Sequence, residues 1–320
     1  MGKRKICKIV FVILSIFLCV AFYELFGICI AYKKQPEVSN TIKKETQNDS
    51  WNERSENMER AVIIEKNPEA LLQRVRLIRN AKEDIILSTF AFQSDESGKL
   101  ILGALHDAAD RGVHIRLLVD GMESWIDMEG NPYFYGLSSH ENVEIKLYNK
   151  ANPLKPWKMM GRMHDKYLIA DGKRYILGGR NTYNYFLGDF PGHKNYDRDV
   201  LVVCDEPEKE NSVNQLLEYF ETIWEQEDSG YFHDNKKLAN RKSVKNAVLE
   251  LQNGYQKYFE ENKERICDTD YTDETFETEK IALVSNPIHT GSKEPVVWYQ
   301  LGELMKNAKN RVKIHTPYII

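Results

Sequence analysis

The sequence contains no Cys-x-x-Cys pair and no clustering of cysteine with histidine, so a structural zinc site has no ligand set to draw on. It also lacks a basic excess: 44 Lys and Arg stand against 48 Asp and Glu, a net charge of −4. A dedicated nucleic-acid binder concentrates positive charge, so this balance counts against nucleic acid as the partner, although a local basic patch can still act within an acidic protein. Three of the five cysteines, Cys7, Cys19 and Cys29, fall in an apolar N-terminal run, which leaves Cys204 and Cys267 in the polar body. Those two can pair in an oxidising compartment or remain buried or free thiols, and their spacing does not choose.

What is present begins at the N-terminus. Lys3, Arg4, Lys5 and Lys8 precede an apolar run over 9–32 that only Glu24 interrupts. About 20 apolar residues cross a bilayer, so the run has the length of a transmembrane helix. Glu24 is costly inside hydrocarbon unless it is protonated or sits near an interface. A cleaved signal peptide has a shorter apolar core ending at small residues. No small-x-small site follows this run, which favours an uncleaved single-pass anchor over 1–32. The basic cluster ahead of the span predicts a cytoplasmic N-terminus and an extracytoplasmic body, while Lys33 and Lys34 on the far side weigh against that orientation. Residues 33–60 are polar and charged, as a tether is.

The length of 320 residues allows one large domain or two modest ones. Asn67-Pro68-Glu69 reads as a helix start, with Leu71, Val75 and Ile78 following at helical spacing. Residues 84–92 are apolar and β-rich, as in a strand buried on both faces. A helix over 99–111, stopped by Gly112, and a strand over 113–120 complete a βαβ unit. That unit predicts parallel pairing and the α/β class, a mixed sheet flanked by helices. Strands at 143–148 and 199–203, and a helix carrying Val213, Leu217, Phe220 and Trp224, continue a first domain over 61–227. Residues 228–279 are charged and poorly periodic and read as an insert or interdomain connection. Strand, helix and strand at 281–284, 297–308 and 311–320 then repeat the order seen over 84–120.

The chemistry concentrates in 163–181, MHDKYLIADGKRYILGGRN. On a strand over 164–170, the two-residue period puts His164 and Lys166 on one face. Asp171-Gly172 is a hairpin signal that turns the chain into 174–177. Gly178-Gly179 lets backbone approach a ligand, and Asn181 supplies an amide donor. Each piece alone is ordinary; the combination is specific. An imidazole largely neutral near pH 7 can attack phosphorus, and an ammonium beside it offsets charge on the non-bridging oxygens. That chemistry requires neither metal nor cofactor.

His164-x-Lys166-x4-Asp171, followed by Gly178-Gly179-x-Asn181, resembles the HKD motif of the phospholipase D superfamily. Tyr185-Phe186 and Tyr196-Asp197-Arg198-Asp199-Val200 are most similar to its bacterial cardiolipin synthase-like branch, as are Phe92-Gln93-Ser94-Asp95, Gly98 and 108–113 upstream. The resemblance covers about 61–224 and resumes from 280. It implies a phospholipase D-like fold and a phosphatidyltransferase or phosphodiesterase that acts on phospholipids at the membrane through a phosphohistidine. His164 would be nucleophile or general acid, while Lys166, Asn181 and the Gly179 backbone hold the phosphate. Gly179 stands where many members have serine, which puts one phosphate contact in doubt. Asp171 would be the motif acid, orienting rather than reacting. Asp197, with Asp199 as second choice, would hydrogen-bond the histidine.

The family mechanism uses two such histidines, one attacking and one protonating the leaving alcohol. None of His106, His114, His140, His193, His233, His289 or His315 has a lysine two residues on. Either the second motif lies on a missing C-terminal half, with 280–320 the start of an incomplete second phospholipase D-like domain, or two copies of His164 pair in a dimer. The strand-helix-strand order at 280–320 favours the first. Two further readings stay open. One is a membrane-tethered endonuclease with Lys150, Lys155, Lys158, Arg162 and Arg180 along a phosphate backbone; the other is a catalytically silent fragment. Pro156-Trp157-Lys158-Met159-Met160, ahead of the motif, either meets lipid or simply packs, and packing is the commoner fate of such residues.

Overall fold

The computed structural model describes residues 3–48, 59–204, 206, 211–233 and 235–314. Part of the tether, 49–58, and the end of the last expected strand, including His315, lie outside the described residues. The chain divides into two units: Met1–Arg54 with Pro153–Gly161 and Leu283–Ile320, and Ser55–Asn152 with Arg162–Ala282.

The larger unit is built on one sheet. Its strands are β1 (Arg60–Ile64), β2 (Asp84–Thr89), β3 (His114–Asp120), β4 (Val143–Tyr148), β5 (Tyr167–Ala170), β6 (Arg174–Gly178), β7 (Asp199–Val203), β8 (Ser229–Tyr231) and β9 (Phe276–Glu277). They lie in the order β8-β4-β3-β2-β5-β6-β7-β1-β9. β2, β3 and β4 run parallel, and every pairing from β2–β5 outward is antiparallel, so the sheet changes character at that seam. Parallel strands need a crossover, and the helix Glu96–Asp110 provides it. Asp95 caps that helix by accepting from the Gly98 N–H. β5 and β6 form the hairpin announced by Asp171-Gly172, both with positive φ (52° and 56°) as a type I′ turn requires.

Alternation along the strands sorts the two cores. Ile85, Leu87, Leu117, Leu168 and Leu201 face the helices Asn67–Asn80, Glu96–Asp110 and Lys242–Glu261. Ile86, Leu118, Ile169 and Val202 are buried on the opposite face, where the helix Ser212–Trp224 sets Phe220 against Tyr167.

Segment 228–279, expected as an insert or connection, is part of this unit. β8 pairs with β4, β9 pairs with β1, and the helix Lys242–Glu261 packs Leu251 and Tyr255 over Gly103. Its buried stripe, Val244, Ala247, Leu251, Tyr255 and Phe259, has helical spacing but is diluted by charge on the other side.

In the smaller unit, Lys3–Ala31 is one helix, and Arg4–Ala31 is the one stretch among the described residues long and apolar enough to cross a bilayer. A helix Asn40–Asn48 occupies part of the expected tether, and Val296–Lys306 fills the predicted helix near the end. Residues 281–284, which cross from the larger unit into this one, and 311–314 form no strand and pair with none among the described residues. Cys204 is buried and Cys267 exposed, and no disulfide joins them.

Candidate functional site

The register places the C-terminal ends of β2, β3 and β6 and the N-terminal ends of β5 and β7 on one edge of the sheet: Thr89 pairs with Val119, Ser88 with Tyr167, Tyr167 with Leu177, and Gly178 with Asp199. His164 to Lys166 run along this edge just before β5 begins. They are not strand residues, but the Gly178 N–H still reaches the Lys166 carbonyl at 3.1 Å.

Several residues fix this short segment. Asp120, buried at the end of β3, accepts from Arg162 Nε at 2.8 and 3.0 Å and from the Met163 N–H at 3.1 Å. Arg162 also reaches Glu123 at 3.1 Å. The Phe90 ring, one residue past β2, meets His164 edge-on with centroids 4.6 Å apart. The same ring lies 4.9 Å from the Arg162 guanidinium and 5.2 Å from Lys166 Nζ. Asp165 is held by the Tyr219 hydroxyl, which donates to it at 2.7 Å.

The electrostatics follow from this packing. Lys166 is only 5% exposed, and its Nζ donates to the His164 carbonyl at 2.6 Å. Burial disfavours the ammonium and brings its pKa down to about 8, with Asp165, Asp197 and Asp120 pulling the other way. The exposed His164 ring is held below the ordinary imidazole value by partial desolvation and then by the Lys166 charge. A neutral imidazole beside a cation is therefore the state near pH 7.

Other expected residues divide. Asn181 is buried, and its Oδ1 accepts from the Ala91 N–H at 3.2 Å, which leaves the NH2 edge as its donor. Gly179 has no room for a β-carbon, because the Asp197 carboxylate lies directly over it. Asp197 thus shares the edge with Lys166. Asp199 is instead buried between Arg74 at 2.9 Å and Arg180 at 3.2 Å. Asp171 sits at the far end of β5, where its carboxylate accepts from the backbone N–H groups of Lys82, Glu83 and Asp84 at 2.8 to 3.1 Å. The strand itself keeps Asp171 away from His164.

The basic residues considered for a phosphate backbone do not form a strip in the larger unit. Arg180 is buried against the Ile64 and Glu65 carbonyls, Arg162 is engaged by Asp120 and Glu123, and Lys150 Nζ donates to the Tyr231 carbonyl. On the helix Gly121–Asp127, directly after Asp120, Trp125 and Ile126 are 69% and 68% exposed.

Asp120, Phe90 and the Asp165–Tyr219 pair were not singled out from sequence. Asp120 and Phe90 lie at strand ends on the motif's side of the sheet, a signal that required the strand order. Nothing local marks Tyr219.

Residues 74–224 match the family model described as cardiolipin synthase, phospholipase D-like domain. An uncharacterized protein of Helicobacter pylori (strain J99 / ATCC 700824) is 30% identical over 212 residues, covering 62% of this chain and 39% of that protein. Cardiolipin synthase C of Escherichia coli (strain K12) is 29% identical over 171 residues, covering 49% of this chain and 34% of that one. The chain thus spans about two fifths or less of the length of these curated relatives. Among solved structures, NucT from Helicobacter pylori aligns with a TM-score of 0.43 at 18% identity, over 54% of this chain and 99% of that one.

Proposed function

Since the chain is a member of the phospholipase D superfamily through residues 74–224, we propose that it takes part in phosphodiester transfer or hydrolysis on phospholipids through a phosphohistidine at His164. The observation that carries this reading is the His164 ring held edge-on by Phe90 beside the buried Lys166 side chain. An imidazole nitrogen attacks phosphorus, a P–N bond forms, and the P–O bond to the leaving alcohol breaks. Lys166 Nζ and the Asn181 amide offset the charge that builds on the non-bridging oxygens. The leaving oxygen takes its proton from a second imidazole, supplied by a second motif in the same protein or by another subunit. Water or an alcohol then attacks the phosphohistidine, giving hydrolysis or transfer.

Asp197 and the Gly179 backbone shape the phosphate side of this site, while Asp171 orients the hairpin from a distance and Asp199 anchors the strand after it. The apolar N-terminal helix serves as a membrane anchor, and the domain carrying the site includes 228–279. Lipid is favoured over nucleic acid as substrate by the exposed Trp125 and Ile126 next to Asp120 and by the inward engagement of Arg162 and Arg180. The experiment is turnover of the whole protein on phosphatidylglycerol vesicles and on single-stranded DNA, with His164→Asn as control. Lipid turnover abolished by the substitution is expected; DNA cleavage alone would overturn the lipid assignment.

A further inference from the structure

Within the smaller unit, the segment Pro153–Gly161 is fastened to the last turns of the apolar helix. The Tyr23 hydroxyl donates to the Leu154 carbonyl at 2.9 Å. The Pro156 ring lies so close to Gly27 that no β-carbon fits there. Glu24, one turn before Gly27, is half-buried, and one of its carboxylate oxygens is enclosed without a hydrogen-bond partner. The one acidic residue of the span thus lies toward a covered face rather than toward lipid.

The height of this attachment follows from helix geometry. About 28 Å of helix separates Lys8, the last of the basic cluster, from Gly27, at ~1.5 Å per residue. A hydrocarbon core is ~30 Å thick, so with Lys8 at one interface Gly27 reaches the other. Tyr23, Tyr32 and Trp157 then gather where aromatic side chains prefer to sit in a bilayer. Around this point the segment leaves Leu154 77%, Trp157 44% and Met160 58% exposed, with Lys155 exposed among them. These three apolar side chains stand out beside an exposed lysine.

We propose that Pro153–Gly161 is an interfacial membrane loop. Leu154, Trp157 and Met160 enter the boundary between headgroups and acyl chains of the leaflet from which the helix emerges, and Lys155 meets the phosphates of anionic lipids there. The proposal rests on the reading of the N-terminal helix as a span and is independent of the chemistry assigned to His164. In the chain, the loop ends three residues before His164, so lipid contact and the attacking imidazole occupy one short stretch.

The test uses the full chain reconstituted in phosphatidylglycerol vesicles carrying lipid brominated either near the headgroup or near the chain end. Five tryptophans contribute fluorescence, so Trp157 is read as the signal lost in Trp157→Phe. The headgroup-proximal bromine should quench that signal more strongly than the deep one. Leu154→Asp with Met160→Asp should remove most of the quenching while the protein still sediments with vesicles, and Lys155→Glu should weaken it in anionic but not zwitterionic vesicles. Quenching unchanged in Trp157→Phe would overturn the proposal, as would an aspartate pair that leaves it intact.

Discussion

The Asp197 carboxylate rests directly on the Gly179 backbone, in the space a β-carbon would need. This contact sits on the motif's edge of the sheet, and Asp197 is among the charges that favour the Lys166 ammonium. Gly179→Ala should displace Asp197, cost about 1–3 kcal/mol of stability as overpacking does, and lower kcat/KM. Adding Asp197→Gly should restore stability without restoring turnover. A double-mutant cycle on denaturant midpoints and initial rates checks both halves.

Lys166 opposes stability while serving the site. Its folded-state pKa of about 8 lies below the unfolded value, so the folded protein holds this proton less tightly. The resulting penalty is fully present below pH 8 and fades as pH rises from about 8 toward the unfolded value of roughly 10.4. Lys166→Met should therefore be inactive yet more stable at pH 7, by no more than about 3 kcal/mol. The stability difference from the unsubstituted protein should narrow above pH 8. Thermal unfolding of both proteins across that window tests it.

The same two groups, together with the second imidazole that donates the proton, shape the rate profile. The acid limb should fall below the ordinary imidazole value, because His164 is depressed by desolvation and by Lys166. The alkaline limb should reflect loss of the second imidazole's proton together with loss of the Lys166 proton near pH 8. A kcat/KM profile measured on a soluble short-chain phosphodiester gives both limbs.

Asp171 acts on the fold. Its carboxylate gathers three backbone N–H groups, and its φ of 52° disfavours alanine. Asp171→Ala should lose roughly 1–3 kcal/mol of stability, with kcat changed far less than in Lys166→Met. Unfolding midpoints beside rates on the folded fraction separate the two effects.

Much of this was legible from the chain. The Asp171-Gly172 turn, the apolar run of β2 and the stripe of Glu96–Asp110 each state their geometry locally, and the motif marks the sheet edge that carries His164 and Lys166. The helix Lys242–Glu261 was missed because its single apolar stripe is masked by charge on its other faces. Phe90 and Asp120 were missed for a different reason: they meet Arg162 to Lys166 only because β2 lies between β3 and β5, and strand order is not written in any local pattern. The expected strand at 164–170 is shorter for the same cause, since pairing with β2 ends at Tyr167.

The proposed reaction bonds phosphorus covalently to His164. Mass spectrometry of the peptide containing His164, after an alkaline quench of turnover on phosphatidylglycerol, tests it most directly. A phosphatidyl adduct is expected on that histidine and none in His164→Asn, which should be inactive. Undiminished lipid turnover by His164→Asn, with no adduct on this peptide in the unsubstituted protein, would contradict it.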